Sequence, residues 1–325
     1  MGNDIFTFKY KPKLLKDFYI NSNLLEILTT FIQIEKITLL LNGNSGSGKT
    51  SLINAVIKEY YIDYQPNDYL SNILFINTLK EQGISYYRTE VKLFCQTPSL
   101  IKNKKKILVL DDLDLINEQG QQVFRNCIDK YSKNIFFIAS CSNIHKIIES
   151  VQSRMDIINI KPYSKAQLSS IASNIILKEN IHLEDDVLSF ILDWCNNSVR
   201  ILVNYLEKFK LIDKPINLSL AYTLCSNISY TEFENYTIVC INGNLIKAIN
   251  LISNLSKKGF SNSDILDNYF AYIKLTHLID ESFKYECIAY ICKYITIFNI
   301  IHEDENELIF FTNNIIQLLK SKNIT

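Results

Sequence analysis

The sequence predicts an α/β fold with a parallel sheet in its first half and helices after it. Three observations predict this. Four bounded apolar runs alternate with helical patterns over the first 160 or so residues. A glycine-rich loop of phosphate-binding type lies between the first run and a helical segment. After "IKPYS", Ile160–Ser164, apolar residues recur at helical spacing.

The apolar runs are "ITLLLN" (Ile37–Asn42), "NILFIN" (Asn72–Asn77), "KILVLD" (Lys106–Asp111) and "NIFFIAS" (Asn134–Ser140). None alternates strictly. Strands buried on both faces read this way, and the helical stretches between them supply the crossovers that parallel pairing requires. "GNSGSGKT", Gly43–Thr50, matches G-x-x-x-x-G-K-[ST] and precedes the helical "SLINAVIKEYY". That is the strand–loop–helix context the motif needs. Its glycines let successive N–H groups curl around phosphate oxygens, and the helix N-terminus adds positive potential. Gly43, Asn44, Ser45, Gly46, Ser47, Gly48, Lys49, Thr50 and Ser51 are therefore the candidate nucleotide-binding stretch. Lys49 reaches the β- and γ-phosphates of ATP, and the Thr50 hydroxyl ligates Mg²⁺. A dinucleotide loop, G-x-G-x-x-G from Gly46 through Gly48, fails because Ser51 stands where its third glycine belongs.

"KILVLDDLDLIN", Lys106–Asn117, ends its apolar run in two aspartates. In a phosphate-loop sheet a later strand ends beside the loop, and an acid there holds Mg²⁺. Asp111 takes that place. Asp112 then stands beside the attacking water as base or orienter. Beyond Ile160, "SKAQLSSIASNIILKEN" and "LEDDVLSFILDWC" have helical spacing, with capping-type starts at Ser164 and Leu183–Asp186. The chain is mostly helical again from about Tyr230. These changes divide it into segments 1–162, 163–228 and 229–325.

Composition excludes several classes. The chain has 325 residues, 47% of them hydrophobic and 21% charged, which describes an ordered globular protein. Formal net charge is zero, so no global field draws it to nucleic acid. Its eight Cys form no Cys-x-x-Cys, and its four His do not cluster with them. Neither a zinc site nor a disulfide framework is expected, which favours a reducing, intracellular setting. No apolar run approaches membrane-spanning length, and no secretory core opens the chain.

Further stretches resemble small subunits of replication factor C, the AAA+ clamp loader of eukaryotes, archaea and some large DNA viruses. "FKYKPKLLKDF" is similar to the family's "EKYRPKTLDDI" segment, and "INTLKEQGISYYRTEVKLF" resembles "LNASDERGIDVVRxxIKxF". "QQVFRNCIDKYSKNIFFIASCSNIHKIIESVQSRMDIINIKPYS" resembles the family's stretch around its Ser-Arg motif. "NSVRILVNYLE" and "GNLIKAI" match lid and collar segments. The similarity runs from about Phe8 to Ile249. It implies a RecA-like AAA+ domain (1–162), a helical lid (163–228) and an all-α collar for oligomerisation (229–325). The implied activity is ATP-driven loading of a PCNA-type sliding clamp onto primer–template DNA, during replication, by a hetero-pentamer. Hydrolysis is expected in the assembled complex, in the nucleus or at a viral replication site. A non-hydrolysing scaffold subunit, or another AAA+ DNA-remodelling ATPase, is the alternative.

The resemblance also implies residue roles. Arg154, in "QSR", resembles the finger that reaches a neighbouring subunit's ATP. Arg200 resembles the lid sensor of the γ-phosphate. Ser142 or Asn143 takes the place of the water-orienting sensor after the fourth strand. Tyr10, Lys11 and Pro12 resemble the segment that covers the nucleotide. Arg88, Lys92 and Arg125 match positions that track the DNA backbone through non-specific phosphate contacts. Gln82 and Asn126 stand where the family has Arg. Asp112 stands where most small subunits have Glu, and "NSVR" replaces "GDMR". The basic run "KNKKK", Lys102–Lys106, is expected to be a solvated loop.

Overall fold

The computed structural model describes residues 5–20, 22–77, 84–212, 214–225, 228, 230–300 and 303–320, with backbone alone at 22, 77, 84–88 and 185. Two compact units make up the chain: Met1–Asn180 with Cys195–Glu207, and Ile181–Trp194 with Lys208–Thr325. In chain order the elements begin with α1 (Phe6–Lys9), α2 (Ser22–Gln33), β1 (Leu39–Asn42), α3 (Lys49–Tyr60), α4 (Pro66–Tyr69), β2 (Ile73–Asn77) and α5 (Ile84–Gln96). Next come β3 (Lys106–Asp111), α6 (Glu118–Tyr131), β4 (Ile135–Cys141), α7 (Glu149–Gln152), β5 (Asp156–Asn159) and α8 (Lys165–Glu179). The helical remainder is α9 (Asp185–Trp194), α10 (Val199–Ile212), α11 (Leu218–Cys225), α12 (Tyr230–Ile241), α13 (Leu245–Lys257), α14 (Asn262–Leu275), α15 (Glu281–Ile300) and α16 (Glu305–Lys320).

The first unit is built on a five-stranded parallel sheet of order β2-β3-β4-β1-β5. Because strand side chains alternate, each apolar run feeds two cores. Leu39, Leu41, Ile107, Val109 and Ile138 pack on one face with Leu52, Ile53 and Val56 of α3. Leu40, Leu108, Leu110 and Phe137 pack on the other with Val91 of α5 and Phe124 and Ile128 of α6. Both faces are covered, which is why the sequence shows continuous runs. β5, whose start pairs Leu39 with Asp156, is a strand that the runs do not reveal. It is a short edge strand whose residues are mostly half-buried or exposed, so it lacks an apolar run. Registers bring Asn42 opposite Cys141 and Leu110 opposite Ala139, so β1, β4 and β3 end side by side. Ligands bind at such carboxyl ends in open parallel sheets.

The basic run departs from expectation. Lys106 is 4% exposed, and its Nζ donates to the Phe94 carbonyl at 2.6 Å and to Thr97 Oγ1 at 2.6 Å, closing the C-terminus of α5. Burial pushes its ammonium pKa below the ordinary lysine value. Lys104 lies over the Tyr60 ring, 4.3 Å from its centroid, and donates to the Tyr60 carbonyl. Lys104 and Lys106 are packed because their four-carbon stems cover aromatic surface, while Lys102 and Asn103 stay exposed in a turn, as a solvated loop would be.

At the start of α8, Ser164 and Gln167 form a capping box, as the Ser164 signal suggests. The second unit closes around Phe233, Tyr236, Tyr269, Tyr272, Ile291 and Phe311. Its buried tyrosines have partners, Tyr236 with Thr312 at 3.0 Å and Tyr272 with Thr276 at 3.0 Å, as burial of a phenol requires.

Candidate nucleotide site

The loop after β1 curls because Gly46 and Gly48 adopt left-handed φ of 77° and 88°. Gly46 has a second reason to be glycine: a Cβ there would stand 2.2 Å from Ser198 Oγ. Gly48 is the N-cap of α3. The loop and its surroundings enclose a cavity of about 100 Å³, lined by Ser45, Gly46, Gly48, Lys49, Thr50, Ser51, Asp112, Ser142 and Arg200. It is phosphate-sized, polar and at a helix N-terminus.

Lys49 is 7% exposed. Its Nζ donates to the carbonyls of Gly43 at 2.7 Å and Asn44 at 3.1 Å, and to Ser142 Oγ at 3.1 Å. Three acceptors satisfy a buried ammonium, and a phosphate would replace weak carbonyl partners with a charged one. Ser47 Oγ is buried without a hydrogen-bond partner among the described residues, which fits a loop shaped for a ligand.

Thr50 Oγ1 donates to Asp111 Oδ2 at 2.8 Å. The two residues expected to share Mg²⁺ therefore already meet. Asp111 is 7% exposed, and its Oδ1 accepts from Ser140 Oγ at 2.6 Å. Ser140 Oγ in turn accepts from the Asp112 N–H at 2.9 Å. One hydroxyl thus holds the carboxylate and the backbone of the next residue. Asp112 adopts φ 57° and ψ 54°, a left-handed conformation that Asp tolerates better than most residues. Burial, and then Asp111, raise its carboxyl pKa above the ordinary value, against Lys49 and Arg200, which lower it.

Ser142 and Asn143, the two candidates for the sensor, differ in what they touch. Ser142 lines the cavity and touches Lys49. The Asn143 side chain instead accepts from the His145 N–H at 3.0 Å, capping a short turn. Asp114 supports both, its Oδ2 accepting from the N–H groups of Ser142 at 3.3 Å and Asn143 at 3.2 Å.

A larger cavity of about 590 Å³ is lined by Tyr10, Lys11 and Pro12, by Phe18, by Tyr163 and by Ile171, Val199 and Val203 among others. Its size and apolar walls suit a nucleoside. The Tyr10 hydroxyl bonds Glu179, which also pairs with Lys9 at 2.6 Å. Burial and Glu179 push the Tyr10 phenol well up. Tyr163 lines this larger cavity, and its hydroxyl stands 3.7 Å from where a Gly48 Cβ would be.

Sequence reading missed Ser140, Asp114, Tyr163, Glu179 and Ser198. Only "DDLD" and "SCS" carry a local hint, an acid or hydroxyl one or two residues from a motif.

Arg154 does not line the phosphate cavity. It sits just after α7, with Nε donating to Asp129 Oδ1 at 2.5 Å and Nη1 to the Ser150 carbonyl at 2.7 Å. Of the DNA candidates, Lys92 is exposed on α5 and Arg125 half-buried on α6, with Nη2 donating to Asn126 Oδ1 at 2.7 Å. The Arg88 side chain and all of Gln82 lie outside the described residues.

Residues 39–163 match the ATPase family associated with various cellular activities (AAA). The chain is 27% identical over 268 residues to a putative replication factor C small subunit of Acanthamoeba polyphaga mimivirus, covering 82% of each. It is 29% identical over 264 residues to the replication factor C small subunit of Methanococcus maripaludis, covering 81% of this chain and 82% of that one. Replication factor C subunit 3 of Schizosaccharomyces pombe is 26% identical, with 81% and 76% covered. Among solved structures, the Thermotoga maritima RuvB Holliday junction branch migration motor shares the fold, with a TM-score of 0.52 at 14% identity over 71% of this chain and 79% of that one.

Fold and site together define a phosphate-loop ATPase domain of the AAA class. Within that class the chain is similar, over about four fifths of its length, to replication factor C small subunits, and its divergence from them supports a place as a distant relative.

Proposed function

We propose that this chain is an ATP-binding subunit of a clamp loader, which uses ATP binding and hydrolysis to load a PCNA-type ring onto primed DNA. The observation that carries this reading is an incomplete convergence. Lys49, Thr50, Asp112, Ser142 and Arg200 meet at one phosphate-sized cavity, with Asp111 bonded to Thr50, while Arg154 does not line it. Arg154 would therefore act on a neighbouring subunit's site, and this site would receive an arginine from another neighbour beside its own Lys49 and Arg200.

The residues fit ATP with Mg²⁺. Lys49 would bind the β- and γ-phosphates, Tyr10, Lys11 and Pro12 would cover the base, and Thr50 and Asp111 would hold the metal. Bound Mg²⁺ supplies charge neutralisation on the phosphates. Asp112 orients water and takes its proton at a carboxylate oxygen. Ser142 fixes Lys49, and Arg200 couples lid position to the presence of the γ-phosphate. The three segments 1–162, 163–228 and 229–325 act as AAA+ domain, lid and collar. In the hetero-pentamer, Arg88, Lys92 and Arg125 face the DNA backbone. A nucleus or viral replication site is the expected setting.

A second reading has specific support. Asp112 is one methylene shorter than the Glu usual in the family, so the subunit could hold ATP as a structural pin and hydrolyse nothing. A branch-migration motor is not favoured: the likeness to RuvB carries the fold alone.

Calorimetric titration of ATP into Lys49→Ala tests the site. Removing the buried ammonium should weaken binding by about 10²-fold or more, with the melting profile retained. Equal affinity in both proteins removes the ATPase reading.

A further inference from the structure

We propose that Asp129 is a positioning residue for the Arg154 guanidinium. The proposal rests on the reading of Arg154 as a finger for a neighbouring subunit's nucleotide. An Arg side chain carries about 2 kcal/mol of rotamer entropy. A finger left to wander would be aligned only a small part of the time, so something must hold it before the neighbour's phosphates do.

The structure holds it by one edge. Nε donates to Asp129 Oδ1 at 2.5 Å. Nη1 donates to the Ser150 carbonyl at 2.7 Å and to Ser153 Oγ at 3.3 Å. No bond to Nη2 is made among the described residues. A bidentate Arg–carboxylate pair would have engaged two nitrogens. This arrangement fixes the guanidinium plane with one nitrogen and one carboxylate, and leaves Nη2 to donate outward.

Asp129 is suited to the task. It stands on α6, which is anchored in the core by Phe124, Cys127 and Ile128 and capped by Asn117, whose Oδ1 accepts from the Gly120 N–H at 2.9 Å. A site carried on a packed helix is held more closely than one on a loop. Arg154 first, and then Arg125 one turn earlier on the same helix, keep the Asp129 carboxyl below the ordinary aspartate value. It is therefore anionic throughout the neutral range. Asp129 itself is exposed and the pair is partly solvated, so it contributes little to stability. Holding geometry is the work left for it.

The opposite role, a carboxylate that parks the arginine away from its target, would engage the donors that this arrangement leaves outward. The experiment separates the two. The assembled clamp loader, with other phosphate loops disabled, is followed by single-turnover hydrolysis at the site that receives Arg154. Asp129→Asn should slow it by about 10- to 100-fold, the scale of an ångström's misplacement. This subunit's own ATP affinity and its melting temperature should not move. Asp129→Glu should recover part of the loss, and in an Arg154→Ala background Asp129→Asn should add nothing. If Arg154→Ala slows turnover but Asp129→Asn does not, the inference is wrong and the finger stands. A faster Asp129→Asn means parking and also overturns it, as does a Glu variant no better than Asn, or additive losses. If Arg154→Ala itself has no effect, the finger reading falls, and the inference with it.

Discussion

Asp112 concentrates the residue-scale question. Its motif reads as an acid at a strand end, but its left-handed backbone and the Ser140 bridge could not be read from neighbours in sequence. The short side chain and the turned backbone belong together. Asn shares Asp's tolerance of this conformation, whereas Glu carries a cost of about 1–2 kcal/mol there. Asp112→Asn should stop single-turnover hydrolysis in the complex, while leaving ATP bound. Asp112→Glu should speed it only if added reach outweighs that strain. An Asn variant as fast as the native subunit moves the function to the structural-pin reading. The same residue sets a pH dependence. Its carboxyl pKa is raised in the folded chain, chiefly by burial and then by Asp111. The charged form is thus disfavoured on folding; the penalty is absent below the unfolded pKa, builds up as pH rises from there to the folded pKa, and is fully present above it. Asp112→Asn should therefore melt higher than the native chain at neutral pH, and the gain should vanish in acid. Gly46 makes a companion case. Ala there meets both a φ of 77° and the Ser198 hydroxyl. Gly46→Ala should cost about 1–2 kcal/mol of stability and weaken ATP binding, measured by melting and titration.

At the scale of elements, the three central strands β3, β4 and β1 were legible because both of their faces are buried, and the edge strand β2 because its apolar run is kept although Phe75 is exposed. The other edge strand, β5, was not, because its four residues are mostly half-buried or exposed and begin and end on polar side chains. The turn between β3 and α6 and that between β4 and α7 meet only through the sheet, so the pairing of Asp114 with the Ser142 N–H had no sequence signature. The same holds for Arg154, just after α7, and Asp129 on α6, 25 residues apart. Arg154→Ala should leave this subunit's own ATP affinity nearly intact, since its guanidinium lies outside the phosphate cavity. Hydrolysis by the complex should fall by about 10³-fold or more. Unchanged turnover in the complex would make Arg154 an ordinary surface residue.

For the whole molecule, charge decides the outlook for DNA. Formal net charge is zero, and Asn126 stands where the family has a basic residue. A single chain should therefore bind primed DNA weakly at physiological salt. The assembly should bind tightly and lose affinity steeply as salt rises, through counterion release. Equilibrium binding of chain and complex across a salt series checks this, and tight binding by the isolated chain contradicts it. Among the described residues, no helix is long and apolar enough to cross a membrane. The sequence by itself determined the sheet-then-helix order, the phosphate loop and the acid pair, because these rest on local spacing: three glycines, a lysine and two aspartates within short windows. Only the tertiary structure decided that Ser142, and not Asn143, meets Lys49, that Ser140 ties Asp111 to the backbone of Asp112, and that Asp129 holds Arg154. These contacts join residues two or more elements apart, and their partners are set by strand order and register, which no single window of the chain contains.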